Sequence, residues 1–236
     1  MCSKKGREQR ENSLGRKFEI KKERRMKFHK VFVVIVFAFI FAGCGSRVGV
    51  VKYNADTLIG TNKELGKDVS IAILAFPDKR YNSNGRNTLI GTVYGGYKNP
   101  LKRIYSEKTI NQDVMDALEN LFKANGCCVK KYPNTTDLFA VSDERLVVRG
   151  QINKFWTESM MRQGAVVDID LEIYDMTNKK KLWNGKIEGF EKRGMGGGIF
   201  QDTDILVSLL NEVLANAIEK AWNNNGMSAS LRNLKD

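Results

Sequence analysis

The sequence predicts an α+β fold: a two-layer sandwich in which two amphipathic helices cover one face of a mostly antiparallel sheet of about 4–5 strands. Two stretches repeat apolar residues at helical spacing, three successive segments alternate with period two, and one short apolar run precedes them all. A one-faced sheet and two one-faced helices bury their apolar sides most simply against each other.

The first strand is expected at Val69 to Phe76, nearly continuous in apolar residues and closed by Pro77 and Asp78, as in a strand covered on both faces. Thr109 with Gln112 three residues on forms a capping box. Ile110, Val114, Ala117, Leu118, Leu121 and Phe122 then share one helical face, and Asn125-Gly126 supplies the stop. Cys127 to Tyr132 reads as a short strand.

Alternating segments follow at Leu146 to Trp156, Ala165 to Tyr174 and Lys181 to Phe190, joined by short turns near Gln163-Gly164 and Thr177-Asn178. Such links favour an antiparallel meander. Val167, Ile169, Leu171 and Ile173 take one face of the middle strand, and Asp168, Asp170 and Glu172 the other. A second helix starts near Asp202 or Thr203, carries a wide apolar stripe from Ile205 to Trp222, and ends at Asn223-Asn224-Asn225-Gly226. The tail from 225 to 236 is expected to fray.

The chain of 236 residues, 42% apolar and 28% charged, suffices for one ordinary core and excludes pervasive disorder or a multi-span membrane protein. Its net charge of +12 suggests nucleic acid until it is located: residues 1–30 hold +8 of it, leaving +4 from Cys44 onward. No nucleic-acid partner is expected. His29 is the only histidine and precedes the apolar run, so the region beyond it lacks imidazole for nucleophile activation, zinc ligation or general base chemistry.

Met26 opens a short basic stretch, followed by thirteen uncharged residues from Val31 to Gly43 and then Cys44. Thirteen helical residues reach about 20 Å, short of the hydrocarbon core, so the stretch reads as an export signal. Phe41, Ala42, Gly43 and Cys44 resemble the lipobox of bacterial lipoproteins, with Phe41 where Leu is usual. The resemblance implies that Cys44 receives a diacylglycerol, that the signal is cut before it, and that the new amino terminus is acylated. Two or three buried acyl chains make release negligible. Gly45 stands where the family's inner-membrane retention signal has Asp, which implies the outer membrane, with the domain facing the periplasm.

The organisation expected is a basic extension at 1–25, resting on an upstream start, a signal at 26–43, an anchored tether at 44–68, one domain at 69–224 and a tail. As a flexible coil the tether would span roughly 25 Å. The element order, the strand Leu146-Val147-Val148-Arg149-Gly150 and the closing helix resemble the periplasmic domain of YajG-type lipoproteins. More loosely they are similar to ABC-transport auxiliary and lipopolysaccharide-assembly lipoproteins.

Four features could carry chemistry. Adjacent Cys127 and Cys128 lack further ligands nearby for zinc and are expected to be buried structural thiols. Asp168, Asp170 and Glu172 could serve as acid and base or hold calcium, but Arg149, Gln151, Lys186 and Glu188 should share their face, so cross-strand pairing explains them. Gly194-Met195-Gly196-Gly197-Gly198 lacks the rest of a phosphate-loop motif and reads as a flexible connection.

The stretch from Asp78 to Tyr105 reads as a long loop, which in a compact domain is functional or disordered. It carries Lys79, Arg80, Arg86, Lys98, Lys102 and Arg103 against the single acid Asp78, a net +5, with Tyr81, Tyr94, Tyr97 and Tyr105 interleaved. Cations among aromatic rings suit an anionic lipid, a glycan or an acidic envelope protein.

The function expected is a lipid-anchored, non-enzymatic interaction module without metal or cofactor, using this loop and the membrane as partners. The alternatives are an accessory lipoprotein of lipid or lipopolysaccharide transport, marked by an acyl-sized groove between helices and sheet, and an envelope hydrolase with two carboxylates in a cleft.

Overall fold

The computed structural model describes residues 46–51, 69–83, 85–141, 143–194, 202–223 and 226–232. Cys44, the signal, the basic extension and residues 52–68 of the expected tether lie outside the described residues. In chain order the elements are β1 (Ser46–Gly49), β2 (Ser70–Leu74), β3 (Leu89–Tyr94), β4 (Pro100–Ser106), α1 (Ile110–Ala124), β5 (Cys128–Tyr132), β6 (Leu146–Ser159), β7 (Gln163–Asp175), β8 (Lys180–Arg193), α2 (Thr203–Asn223) and α3 (Met227–Arg232). Single 3-10 turns occur at Tyr81–Ser83 and Leu138–Val141.

β6 organises the sheet. Along one edge it pairs antiparallel with β7 for nearly its whole length, and β7 pairs in turn with β8, giving the expected meander. Along the other edge lie two shorter parallel strands end to end: β2 beside Leu146 to Val148, and β3 beside Thr157 to Ser159. β5 adds parallel to β2, β4 antiparallel to β3, and β1 parallel to β4. The sheet is therefore eight-stranded and mixed, where 4–5 mostly antiparallel strands were expected.

The difference has a local cause. β3 and β4 occupy the stretch expected to be a loop, and their sequences show no clean alternation. Gly91 interrupts β3 because a Cβ there would stand 2.3 Å from the Thr157 carbonyl oxygen of β6. β4 buries only Ile104 and Ser106 among its seven residues. Residues 46–49, assigned by sequence to the tether, form an edge strand instead.

The helices follow their signals closely. Both halves of the Thr109–Gln112 capping box are present, and α1 stops at Asn125 ahead of Gly126, whose φ of 88° suits glycine. α2 runs Thr203–Asn223, and Gly226 at φ 76° turns the chain into α3. That short helix replaces the frayed tail, because Met227 and Leu231, four residues apart, both enter the core.

Both helices lie on one face, as expected. Ile71 and Ile73 of β2, Leu146 and Val148 of β6, and Val167, Ile169, Leu171 and Ile173 of β7 form one buried cluster with Leu118 and Leu121 of α1 and Leu206, Leu210 and Leu214 of α2. Phe122 and Trp222 meet edge-on, ring centroids 6.2 Å apart, and join the helices directly. A smaller cluster of Ala72, Leu74, Val141 and Val147 occupies the opposite face, which explains why β2 is apolar on both sides.

Phe122→Ala should cost about 3–5 kcal/mol, because it opens a cavity at the helix–helix contact. Urea unfolding followed by tryptophan fluorescence would measure this, and a loss below about 1 kcal/mol would show that the Phe122–Trp222 contact does not join the layers.

Candidate functional site

The stretch from Asp78 to Tyr105 divides into an interior part, which includes β3, and an exposed hairpin tip. Asp78 bridges to Ile152 of β6. Arg80, expected on the contact surface, is instead interior, with its side chain only 2% exposed. Its Nε and Nη2 donate to the two Asp78 carboxylate oxygens at 2.9 and 2.8 Å, and Nη1 donates to the carbonyls of Leu89 at 2.6 Å and Phe155 at 3.1 Å. Burial pushes the Asp78 carboxyl up, but the hydrogen bonds and charge of Arg80 outweigh it and hold the carboxyl below its ordinary value.

The remaining charged and aromatic residues of the stretch stay near solvent. Lys79 is exposed, Tyr81 is 95% exposed on its 3-10 turn, and Arg86 donates to the Tyr105 hydroxyl at 3.0 Å. Tyr94 and Lys102 are half-buried, whereas Lys98, Arg103 and Tyr97 at the hairpin tip are exposed, Tyr97 by 98%. The tip is closed by hydrogen bonds from Lys98 N to Gly95 O and from Gly95 N to Asn99 O.

The outer sheet face holds a polar groove of about 440 Å³, lined in part by Arg149, Gln151, Asp170, Glu172 and Asn184. Its charges are matched across strands, as the register predicts. Arg149 bonds Glu172 at 2.8 Å and Gln151 bonds Asp170 at 2.8 Å, while Lys186 reaches Asp168 and Asp170. Lys181 also pairs with Glu172, and both Arg149 and Lys181 lie over the Tyr174 ring.

Burial pushes Glu172 up, but hydrogen bonds from Lys181, Arg149 and Tyr174 prevail and hold it at about 2. Asp170 is likewise held below its ordinary value against burial, by Asn153, Gln151 and Lys186. Both carboxylates are thus ionised near neutrality, and the pair lacks the split in proton affinity that acid–base catalysis uses. Among the described residues no group of three or more His, Cys, Asp or Glu side chains is placed to hold a metal ion.

Asp113 and Cys127 are also buried titratable groups, and Asp113 had no clear sequence signal. Asp113 is buried in the first turn of α1 and accepts a 2.6 Å hydrogen bond from Ser106 Oγ; burial pushes its carboxyl up to about 7. Cys127 is buried in the core and its thiol is pushed up to about 11, so it stays protonated and unreactive. Cys128 is exposed at the start of β5, so only one of the pair is the buried thiol expected. Residues 195–201 of the glycine-rich connection lie outside the described residues.

No family model matches the chain, and no curated protein matches it. Among solved structures it is similar to a Xanthomonas campestris protein of the DUF330 family, with 6% identity, 81% of this chain and 99% of that chain covered, and a TM-score of 0.52. At that identity the likeness shows a shared fold. Another similar structure is the lipoprotein GNA1162 of Neisseria meningitidis, with 14% identity, 64% of this chain and 97% of that chain covered, and a TM-score of 0.38.

Arg80→Ala should destabilise the fold by about 3–5 kcal/mol, since Asp78 would keep a partly buried charge without its partner. Replacing Lys98, Lys102 or Arg103 by Gln should change stability by no more than about 0.5 kcal/mol each. Denaturant titrations distinguish the two groups, and equal effects would contradict the division of the stretch.

The Asp113 carboxyl binds its proton more tightly in the folded than in the unfolded chain. Its stabilising contribution is therefore full below its ordinary value of 3.8 and is lost as pH rises through about 7. Asp113→Asn should flatten the decline in unfolding midpoint across this window, and an identical decline in the variant would assign it to other groups.

Proposed function

We propose that this chain is a bacterial cell-envelope lipoprotein, held in the outer membrane through acyl chains on Cys44, whose periplasmic domain is a non-enzymatic binding module. The observation that carries the reading is the run from Val31 to Gly43, closed by Ala42-Gly43-Cys44 and standing immediately ahead of a folded domain that begins at Ser46. Acylation at that thiol would confine the domain to the membrane plane.

The packing favours surface binding over carriage of a lipid chain. Between α1, α2 and the sheet, Leu118, Leu121, Phe122, Leu206, Leu209 and Leu210 are fully buried against strand residues, so that space is already filled by side chains. An acyl-sized groove there is what the transport alternative needs. The exposed Tyr97, Lys98 and Arg103 support recognition of an envelope protein or an anionic lipid or glycan, and the mutual pairing of the outer-face carboxylates speaks against hydrolysis.

Cys44→Ala should abolish incorporation of labelled fatty acid and leave the leader uncleaved or the protein released from the membrane. Mass spectrometry of the native protein should find a chain starting at Cys44 with acyl mass on it. An intact leader with an unmodified sulfur would overturn the reading.

A further inference from the structure

The strand directions bring several turns to one end of the sheet. The β3–β4 hairpin turns at 95–99, and the β6–β7 turn at 160–162 lies beside it, because Val93 pairs with Ser159. β1 begins at the same end: it runs parallel to β4 with Ser46 opposite Arg103. Cys44 precedes Ser46 by two residues, a reach of about 7 Å at full extension.

This end has an unusual surface. Tyr97 is 98% and Met161 66% exposed. Lys98, Arg103 and Arg162 are exposed and Lys102 is half-buried. The segments 79–106 and 159–167 themselves contain no Asp or Glu, and the acids on the adjoining strands are Glu158, opposite Thr92, and Glu191, opposite Ala165. The opposite end is mixed in charge: Asp143 and Glu144 follow the Leu138–Val141 turn, Lys130 is paired with Glu144, and exposed Lys179 and Lys180 lie at the β7–β8 turn.

We propose that this end docks on the anionic surface of the membrane that holds the anchor, with Tyr97 and Met161 entering the headgroup layer and Lys98, Lys102, Arg103 and Arg162 meeting lipid phosphates. The inference rests on the lipid-anchor reading. A link of one residue, Gly45, between the acylated position and β1 keeps the domain at the bilayer. The cations at this end then favour contact with the lipid, since each basic residue near an anionic surface favours contact about fivefold. Tyrosine supplies a ring for the apolar boundary and a hydroxyl for the wet side. Docked this way, the domain holds the far end, with Phe139 at 78% exposure, away from the bilayer.

The test uses acylated protein purified from membranes and placed in phosphatidylethanolamine–phosphatidylglycerol vesicles with or without bromine on the lipid chains. The native tryptophans Trp156, Trp183 and Trp222 are buried, so a reporter added at an exposed position is resolved as the emission gained over the parent protein. Emission added by Tyr97→Trp, and separately by Met161→Trp, should fall roughly twofold with brominated lipid, as expected for side chains at the headgroup boundary. Emission added by Phe139→Trp should not change. Adding Lys98→Glu, Lys102→Glu and Arg103→Glu to Tyr97→Trp should restore the lost emission. Equal emission at positions 97, 161 and 139 in protein carrying acyl mass would overturn the docking and leave the anchor standing. Absence of acyl mass on Cys44 would overturn the anchor, and this inference with it.

Discussion

The gap along one edge of β6 constrains the rest of the structure. β2 pairs with that edge as far as Val148 and β3 takes it up at Thr157, so the backbone groups between would be buried without partners. The chain crossing from one strand to the other fills the gap. Ile152 N donates to Pro77 O at 3.0 Å, Lys79 N donates to Ile152 O at 2.8 Å, and the Arg80 guanidinium takes the carbonyl of Phe155. A planar group with several fixed donors can reach both this carbonyl and that of Leu89 while remaining paired with Asp78. A lysine could not reproduce this fork.

Much of the fold was legible because burial on one face leaves a period in the sequence. The β6–β7–β8 meander follows from alternation, α1 from its capping box and stripe, and the Arg149–Glu172 and Gln151–Asp170 pairs from the register that alternation implies. β3, β4 and β1 were not legible. β4 buries two of its seven residues and exposes cations, so it has no period to read, while β3 is short, buried on both faces and interrupted by Gly91, and each takes its place from a backbone edge far away in sequence.

The same limit applies to the candidate site. Counting charges found an excess in the stretch from Asp78 to Tyr105 but could not tell Arg80, which satisfies interior carbonyls, from Arg103, which faces solvent. Composition records what a segment carries, whereas burial depends on which neighbours close over it. Asp113 escaped for a related reason: an acid near a helix start is ordinary in sequence, and only the Ser106 hydroxyl and the surrounding apolar side chains make it a proton-binding group near neutrality.

β5 ends one path of strand pairing among the described strands, so its outer backbone groups offer a template for another chain. Its Lys130 is held by Glu144 and its Lys131 by Asp116 and Glu119, which fixes two ammonium groups along that margin. Each ammonium is thus neutralised by carboxylates of its own chain, so a second copy would meet closed ion pairs there. Lysine on an open margin is a device by which sheets resist joining edge to edge, and two stand here in succession.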